Sequence, residues 1–365
     1  MTIAAAPPES AWQIGNIPNP PYPVHRASPL AVAEVERELI AWAWQYRLIT
    51  SQEAELQFRR AGFADLAVRV YPCADDPTVH AKWIAWLFFF DDYFDDRPRS
   101  DTAADSGESA DAAAGIARFL PVGRGAPAEP RSVLTAALLN LWPGMASRMS
   151  EHLKARFRRH ADAYSRTYAR PIALARDTDP PDLSAYIALR RDSGAVETCL
   201  DLIECRSDAR LSSRDAGSAQ LEAIRTAAND IICWTNDIAS LRKEASHGEL
   251  NNIVAVIRGA TGMGWPAAVE IACRMVDART REFDELCQTW LDGATTTERP
   301  AFVDGVRNWI AGSYSWHARS ARYASGSVDS SGADRGRPEG SPRSAHNCPR
   351  RTRPTSRDAL VRLAD

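Results

Sequence analysis

From Ser28 to about Tyr323, apolar residues recur at spacings of three and four, with strand-type alternation nearly absent. Stretches such as "PLAVAEVERELIAWAWQYRLI" and "PAAVEIACRMVDARTREFDELCQTWL" place their apolar residues along one side of a helix. A chain patterned this way buries its stripes by packing helix on helix around a shared core. The expectation is an all-α, single-domain helical bundle. At 365 residues and 45% hydrophobic content, the chain is long enough for one large domain or two small ones. No internal repeat and no GxxxxGK phosphate loop interrupts the pattern.

The flanks differ from this body. Residues 1–27 hold six prolines (Pro7, Pro8, Pro18, Pro20, Pro21, Pro23), which predicts an extended arm rather than a packed element. Residues 326–365 are rich in Gly, Ser, Pro and Arg, with eight arginines against five acids, and read as a disordered, solvated tail. The domain is therefore expected over residues 28–325. "MTIAAAPPES" lacks the basic start and apolar stretch of a signal peptide. The longest apolar run, "WIAWLFFF", is eight residues, where a membrane span needs about twenty. The expectation is a cytoplasmic protein without membrane insertion. A net charge of -3 gives no reason to expect a nucleic-acid partner. The seven cysteines (Cys73, Cys199, Cys205, Cys233, Cys273, Cys287, Cys348) form no CxxC pair and are expected to be reduced, mostly core residues.

Two stretches carry chemistry. In "FFFDDYFDD", at 88–96, an apolar run delivers a cluster of carboxylates. On one helix over 81–96, Asp91 and Asp95 share a face one turn apart, where like charges repel. A solvated acidic helix end explains this too. Yet Trp83, Trp86, Phe88 and Phe89 suggest that this end borders a buried space, and carboxylates at its mouth suit a hard divalent cation such as Mg²⁺. Second, "NDIASLRKE" sets Asn236, Ser240 and Glu244 at i, i+4 and i+8, an oxygen-donor stripe on one helix face. It follows another apolar run, "IICW", and Lys243 beside Glu244 is placed to reach an anion. Two facing stripes would hold several cations, and a diphosphate satisfies several Mg²⁺ at once. Basic candidates follow: Arg190 and Arg191 before Gly194, which is placed to break a helix and let backbone approach a ligand, and Arg322 beside Tyr323.

In these motifs the sequence resembles the class I terpene synthases, especially the bacterial terpene cyclases. "DDYFD" looks like their DDxxD motif, and "NDIASLRKE" matches their (N/D)Dxx(S/T)xx(K/R)E triad. Arg190 lies 46 residues before Asn236, where that family places its diphosphate-sensing arginine. Ser193 and Gly194 fall on its linker and effector positions, and "RY" at 322–323 resembles its C-terminal Arg-Tyr pair. The matches span roughly residues 18–323.

The resemblance implies a helical bundle with a central apolar cavity. It assigns Asp91, Asp95, Asn236, Ser240 and Glu244 to three Mg²⁺, with Mn²⁺ a possible substitute, and Arg190, Lys243, Arg322 and Tyr323 to the diphosphate of a linear prenyl diphosphate. Asp92 would pair with Arg322, and Ser193 would link Arg190 to Gly194. Phe88, three residues before Asp91, and Trp309, thirteen before Arg322, match positions that offer aromatic faces to a carbocation. Ala195 and Cys199 keep the wall small. The implied activity is a lyase that ionises farnesyl diphosphate with Mg²⁺, releases diphosphate and cyclises the cation to a sesquiterpene, as a monomer or homodimer. Alternatives are a diterpene synthase using geranylgeranyl diphosphate, a chain-elongating prenyltransferase, an inactive cyclase and a helical binding protein.

Overall fold

The computed structural model describes residues 17–74, 76–95, 115–122, 127–169, 182–246, 251–292, 294 and 296–322. Among them every regular element is helical: α1 (Pro29–Gln45), α2 (Gln52–Ala61), α3 (Phe63–Val70), α4 (Pro77–Asp95), α5 (Val133–Ala146), α6 (Glu151–Ala169), α7 (Leu183–Ser193), α8 (Val196–Ile203), the one-turn α9 (Ser213–Ala216), α10 (Ala219–Ser246), α11 (Ile253–Thr261), α12 (Trp265–Leu291) and α13 (Glu298–His317). The all-α expectation holds. Most of the domain expected over 28–325 lies among these residues, whereas the tail after 325 and Cys348 lie outside them.

Local chemistry sets the helix ends. Ser51 Oγ accepts from Ala54 N at the start of α2, and Ser132 forms a reciprocal capping box with Thr135 at the start of α5. Gly62 sits at φ 73, closing α2 and opening α3. Only glycine adopts that left-handed conformation at little cost.

The apolar run of α4 lies in the core. Trp83 and Trp86 are fully buried and stack with centroids 5.4 Å apart. Their indole N–H groups are satisfied by Thr198 Oγ1 at 3.0 Å and the Leu134 carbonyl at 2.8 Å, so this burial leaves no orphaned donor. Helix α10, 28 residues and so about 42 Å long, packs against α7, α8, α11, α12 and α13. Behind α8, buried Asp201 accepts from Arg156 Nε at 2.8 Å, Arg225 at 2.7 Å and His160 Nδ1 at 2.7 Å. Burial alone would raise that carboxyl's pKa, but the three basic partners hold it far below the usual carboxylate range. This ionic knot ties α6, α8 and α10 together, and losing one partner would leave an uncompensated buried charge, at a cost of about 3–5 kcal/mol.

One expectation needs correction. Residues 1–16 of the N-terminal arm lie outside the described residues, but its later part is packed, not merely extended: Ile17 is buried, Tyr22 donates to Asp284 at 2.9 Å, and its ring meets Phe283 edge-on. A proline-rich segment has few N–H groups to satisfy, so it lies in a helix groove without losing backbone hydrogen bonds. A cavity of about 250 Å³ remains between Pro18–Pro21 and α10, α12 and α13. The cysteines are free and mostly core, as expected: among the described residues Cys199, Cys205, Cys233 and Cys287 are buried, Cys273 is half-buried and Cys73 is exposed. No helix among the described residues is long and apolar enough to cross a membrane.

Candidate active site

Helices α4, α7, α10 and the end of α13 bring most of the singled-out residues together. On α10, Asn236, Ser240 and Glu244 fall on one face as their spacing predicts, in a helix unbroken from 219 to 246. Arg190, in the last turn of α7, donates from Nε to Asp237 Oδ1 at 2.8 Å and from an Nη to Asn236 Oδ1 at 2.8 Å. Burial opposes the guanidinium's charge, but Asp237 reverses that and raises its pKa. Arg191 faces away from this group and forms a two-pronged pair with Asp230 at 2.7 and 2.8 Å. Of the two neighbouring arginines, only Arg190 joins the α10 stripe.

The acidic end of α4 forms the other side. Arg322 holds Asp92 through two hydrogen bonds of 2.9 and 2.7 Å, and its guanidinium carbon lies 4.7 Å from the Phe88 ring centroid. Asp91 accepts from the Tyr168 hydroxyl of α6. Its pKa is raised, first by burial and then by Asp92, while the Tyr168 hydrogen bond and the charges of Arg322 and Lys243 work against the rise. Lys243, on α10, is the last of these influences on Asp91. The side chain of Asp95 and all of Tyr323 lie outside the described residues.

The segment carrying Arg322 is anchored at a distance. Trp316 Nε1 and Ser320 Oγ both donate to the Ala61 carbonyl, at 2.8 and 2.9 Å, and Ala321 N donates to the Arg60 carbonyl at 3.2 Å. The end of α13 is thereby pinned to the α2–α3 turn, on the approach to Asp92.

At the α7–α8 junction the helix breaks where the sequence suggests, but glycine serves another purpose. Gly194 has ordinary right-handed dihedrals, and Ala195 takes the positive φ of 55. A Cβ at Gly194 would lie 2.3 Å from Cys233 Sγ, so glycine is needed there for close approach to α10 rather than for backbone freedom. Ser193 Oγ is buried with no hydrogen-bond partner among the described residues. Trp309 is buried and meets Tyr71 edge-on at 5.5 Å, while Tyr71 donates to the Cys199 carbonyl at 2.8 Å.

Several contacts are unannounced by any motif. The amide Nδ2 of Asn236 is 3.0 Å from His317 Nε2; burial, with Arg190 adding to it, lowers the His317 pKa to about 3, so the imidazole is neutral and accepts this bond. Tyr186 donates to Asp237, and Asn252 donates to Glu244 at 2.9 Å. Only Asn252 had a sequence signal: an Asn before an apolar helical run is an N-cap pattern.

Among the described residues, no group of three or more His, Cys, Asp or Glu side chains is arranged to hold a metal. The α10 stripe is of another kind, with one amide oxygen, one hydroxyl and one carboxylate. These are hard oxygen donors of the type Mg²⁺ takes. Glu244 shows the same need for positive charge: burial, and then Asp237's charge, push its pKa up to about 7. The donor set fits a divalent cation. The 250 Å³ cavity is separate, since its α10 residues are Ile231 and Thr235, on a different face from Asn236 and Ser240.

Comparison with known proteins gives the family and the fold. The family described as "Terpene synthase family 2, C-terminal metal binding" matches residues 82–282. The chain is 33% identical to a (+)-T-muurolol synthase of Roseiflexus castenholzii, named as farnesyl diphosphate cyclizing, over 80% of this chain and 88% of that protein. It is 33% identical to a pentalenene synthase of Streptomyces avermitilis, over 83% and 91%. Among solved structures, a hedycaryol synthase superposes with a TM-score of 0.68 at 26% identity, over 83% of this chain and 98% of that one. An α-eudesmol synthase superposes at 0.70 and 24%, over 81% and 97%, and shows the fold.

Proposed function

The chain belongs to the class I terpene synthases, and from that premise we propose that it ionises farnesyl diphosphate with Mg²⁺ and cyclises the resulting allylic cation to a sesquiterpene. The observation that carries this reading is the α10 stripe of Asn236, Ser240 and Glu244, with Arg190 held against Asn236 and Asp237. It offers oxygen donors for metal and a guanidinium for an anion within one cluster. Farnesyl diphosphate is chosen because the muurolol synthase relative is named for cyclising it.

In this reading Asp91 on one side, and Asn236, Ser240 and Glu244 on the other, would hold Mg²⁺, and the bound ion would supply positive charge to a diphosphate leaving group. Arg190, Lys243 and Arg322 add donors aimed at the same leaving group, where charge grows as the carbon–oxygen bond breaks. Asp92 holds the Arg322 fork at the mouth, and neutral His317 holds the Asn236 amide so that its oxygen faces Arg190. On this reading the apolar faces of α4, α8 and α13 would exclude water and leave the cation no partner but its own double bonds and the ring faces of Phe88 and Trp309.

The test is incubation of purified protein with Mg²⁺ and geranyl, farnesyl or geranylgeranyl diphosphate, reading released diphosphate and volatile hydrocarbon. Farnesyl diphosphate should give a cyclic product with the highest kcat/KM. No diphosphate release from any substrate, with Mg²⁺ or Mn²⁺, would overturn the reading, and a preference for geranylgeranyl diphosphate would replace the substrate.

A further inference from the structure

The α10–α11 junction returns the chain to the α10 stripe at a residue without an assigned role. Asn252 is fully buried, and its side chain spends every polar atom. Its Oδ1 accepts from Val254 N at 3.0 Å and so caps α11. Its Nδ2 donates twice, to the Asp237 carbonyl at 2.6 Å and to Glu244 Oε2 at 2.9 Å. The next residue's N–H, Ile253 N, donates to Asp237 Oδ2 at 3.0 Å, and Asp237 Oδ1 is the acceptor for Arg190.

We propose that Asn252 is a positioning residue: its amide fixes the carboxylate of Glu244 against α10 so that one oxygen is turned to the metal. The proposal rests on the reading of Glu244 as a metal ligand. The physical need is plain. Glu244 stands near the end of a long helix, and a glutamate has three rotatable side-chain bonds, so an unheld carboxylate would sample many directions. A donor of fixed direction on one oxygen limits that freedom and leaves the other oxygen for a cation. Partners of this kind typically contribute about 10- to 100-fold to metal affinity when removed. Nδ2 is held in turn by Oδ1 on the α11 cap, because both atoms belong to one planar amide. The capping bond therefore aims the donor.

The two roles separate by substitution. Serine caps helices about as well as asparagine, but its hydroxyl is too short to reach Glu244 while capping. Asn252→Ser keeps the cap and loses the amide donor; Asn252→Ala loses both. The measurement is calorimetric binding of Mg²⁺ with inorganic pyrophosphate, alongside the melting temperature of each protein in EDTA. Asn252→Ser loses the two buried amide bonds but keeps the cap, so it should melt between the parent and Asn252→Ala and bind about 10- to 100-fold more weakly than the parent, whereas Asn252→Ala should bind as weakly and melt lowest. Binding by Asn252→Ser within about twofold of the parent would overturn the proposal, as would a melting loss equal to that of Asn252→Ala. Absence of Mg²⁺-pyrophosphate binding in the parent would instead overturn the reading of the site on which the proposal stands.

Discussion

Arg322 reaches across 230 residues of sequence to grip both carboxylate oxygens of Asp92, at 2.9 and 2.7 Å. The geometry is a planar fork on a planar acceptor, which lysine cannot reproduce. The pair is partly open to solvent, with side-chain exposures of 16% and 37%, so it contributes little to stability, roughly 0–1 kcal/mol. On the proposed reading, its value lies in placing a cation beside the diphosphate. Arg322→Lys should therefore lower kcat/KM for farnesyl diphosphate by about 10- to 100-fold while the melting temperature moves by less than about 3 °C. Steady-state kinetics and a thermal melt on one preparation check both halves.

The two oxygen-bearing helix faces should be jointly required. Asp91→Asn removes the charge that Tyr168 and Lys243 attend, and Asn236→Ala removes the acceptor for Arg190. Each should reduce diphosphate release by about 10²- to 10³-fold with the fold retained. Near-parental release from either folded variant would remove that residue from the metal site.

Glu244 sets a pH dependence of stability in metal-free protein. Its folded pKa is pushed up to about 7, first by burial and then by Asp237's charge, against about 4.3 for an ordinary glutamate. Between about pH 4.5 and 7 the folded chain holds a proton that the unfolded chain has released. The stability tied to that proton is full at low pH and lost as pH rises through 7. In EDTA, Glu244→Gln should thus melt a few degrees above the parent at pH 8 and close to it at pH 4.5. The same variant should be strongly impaired in diphosphate release, separating what the site does from what the fold prefers. An equal gain at both pH values would show that ionisation of Glu244 is not the cause.

The aromatic positions should separate. Trp309 packs on Tyr71, whereas Phe88 lies under the Arg322 guanidinium at 4.7 Å. A ring face is worth roughly 0.5–2 kcal/mol to a cation, and about 1.4 kcal/mol shifts a product ratio tenfold. Trp309→Leu should redistribute the hydrocarbons while diphosphate release stays within about threefold. Phe88→Leu should change the products and also slow release, because Arg322 loses its platform. Gas chromatography beside a diphosphate assay reads both, and an unchanged product ratio in both variants would make the two rings core packing alone.

What was legible in the sequence was what lies along one helix. The positions of Asn236, Ser240 and Glu244 follow from a period of 3.6, and α4 was expected to end in its acids because an apolar run led into them. The partners were not legible. Tyr168 meets Asp91 from 77 positions away and His317 meets Asn236 from 81, and no periodicity encodes which helix faces lie together. Gly194 was visible as a break, but its reason, the thiol of Cys233 on another helix, was not. The Ile17–Tyr22 contacts were missed for the opposite reason: proline richness describes a backbone and says nothing about what it lies against.

The anchorage of the chain end at Ala61 has a consequence for inheritance. Trp316 and Ser320 both address a main-chain carbonyl, so no side chain at position 61 records the contact. What limits residue 61 is its burial in the core, where Ala61 is 4% exposed, and not the latch, so a search for covarying pairs would find no partner for Trp316 there. What must be passed on is the shape of the turn, and that resides in Gly62, whose left-handed φ of 73 sets where the α2 carbonyls point.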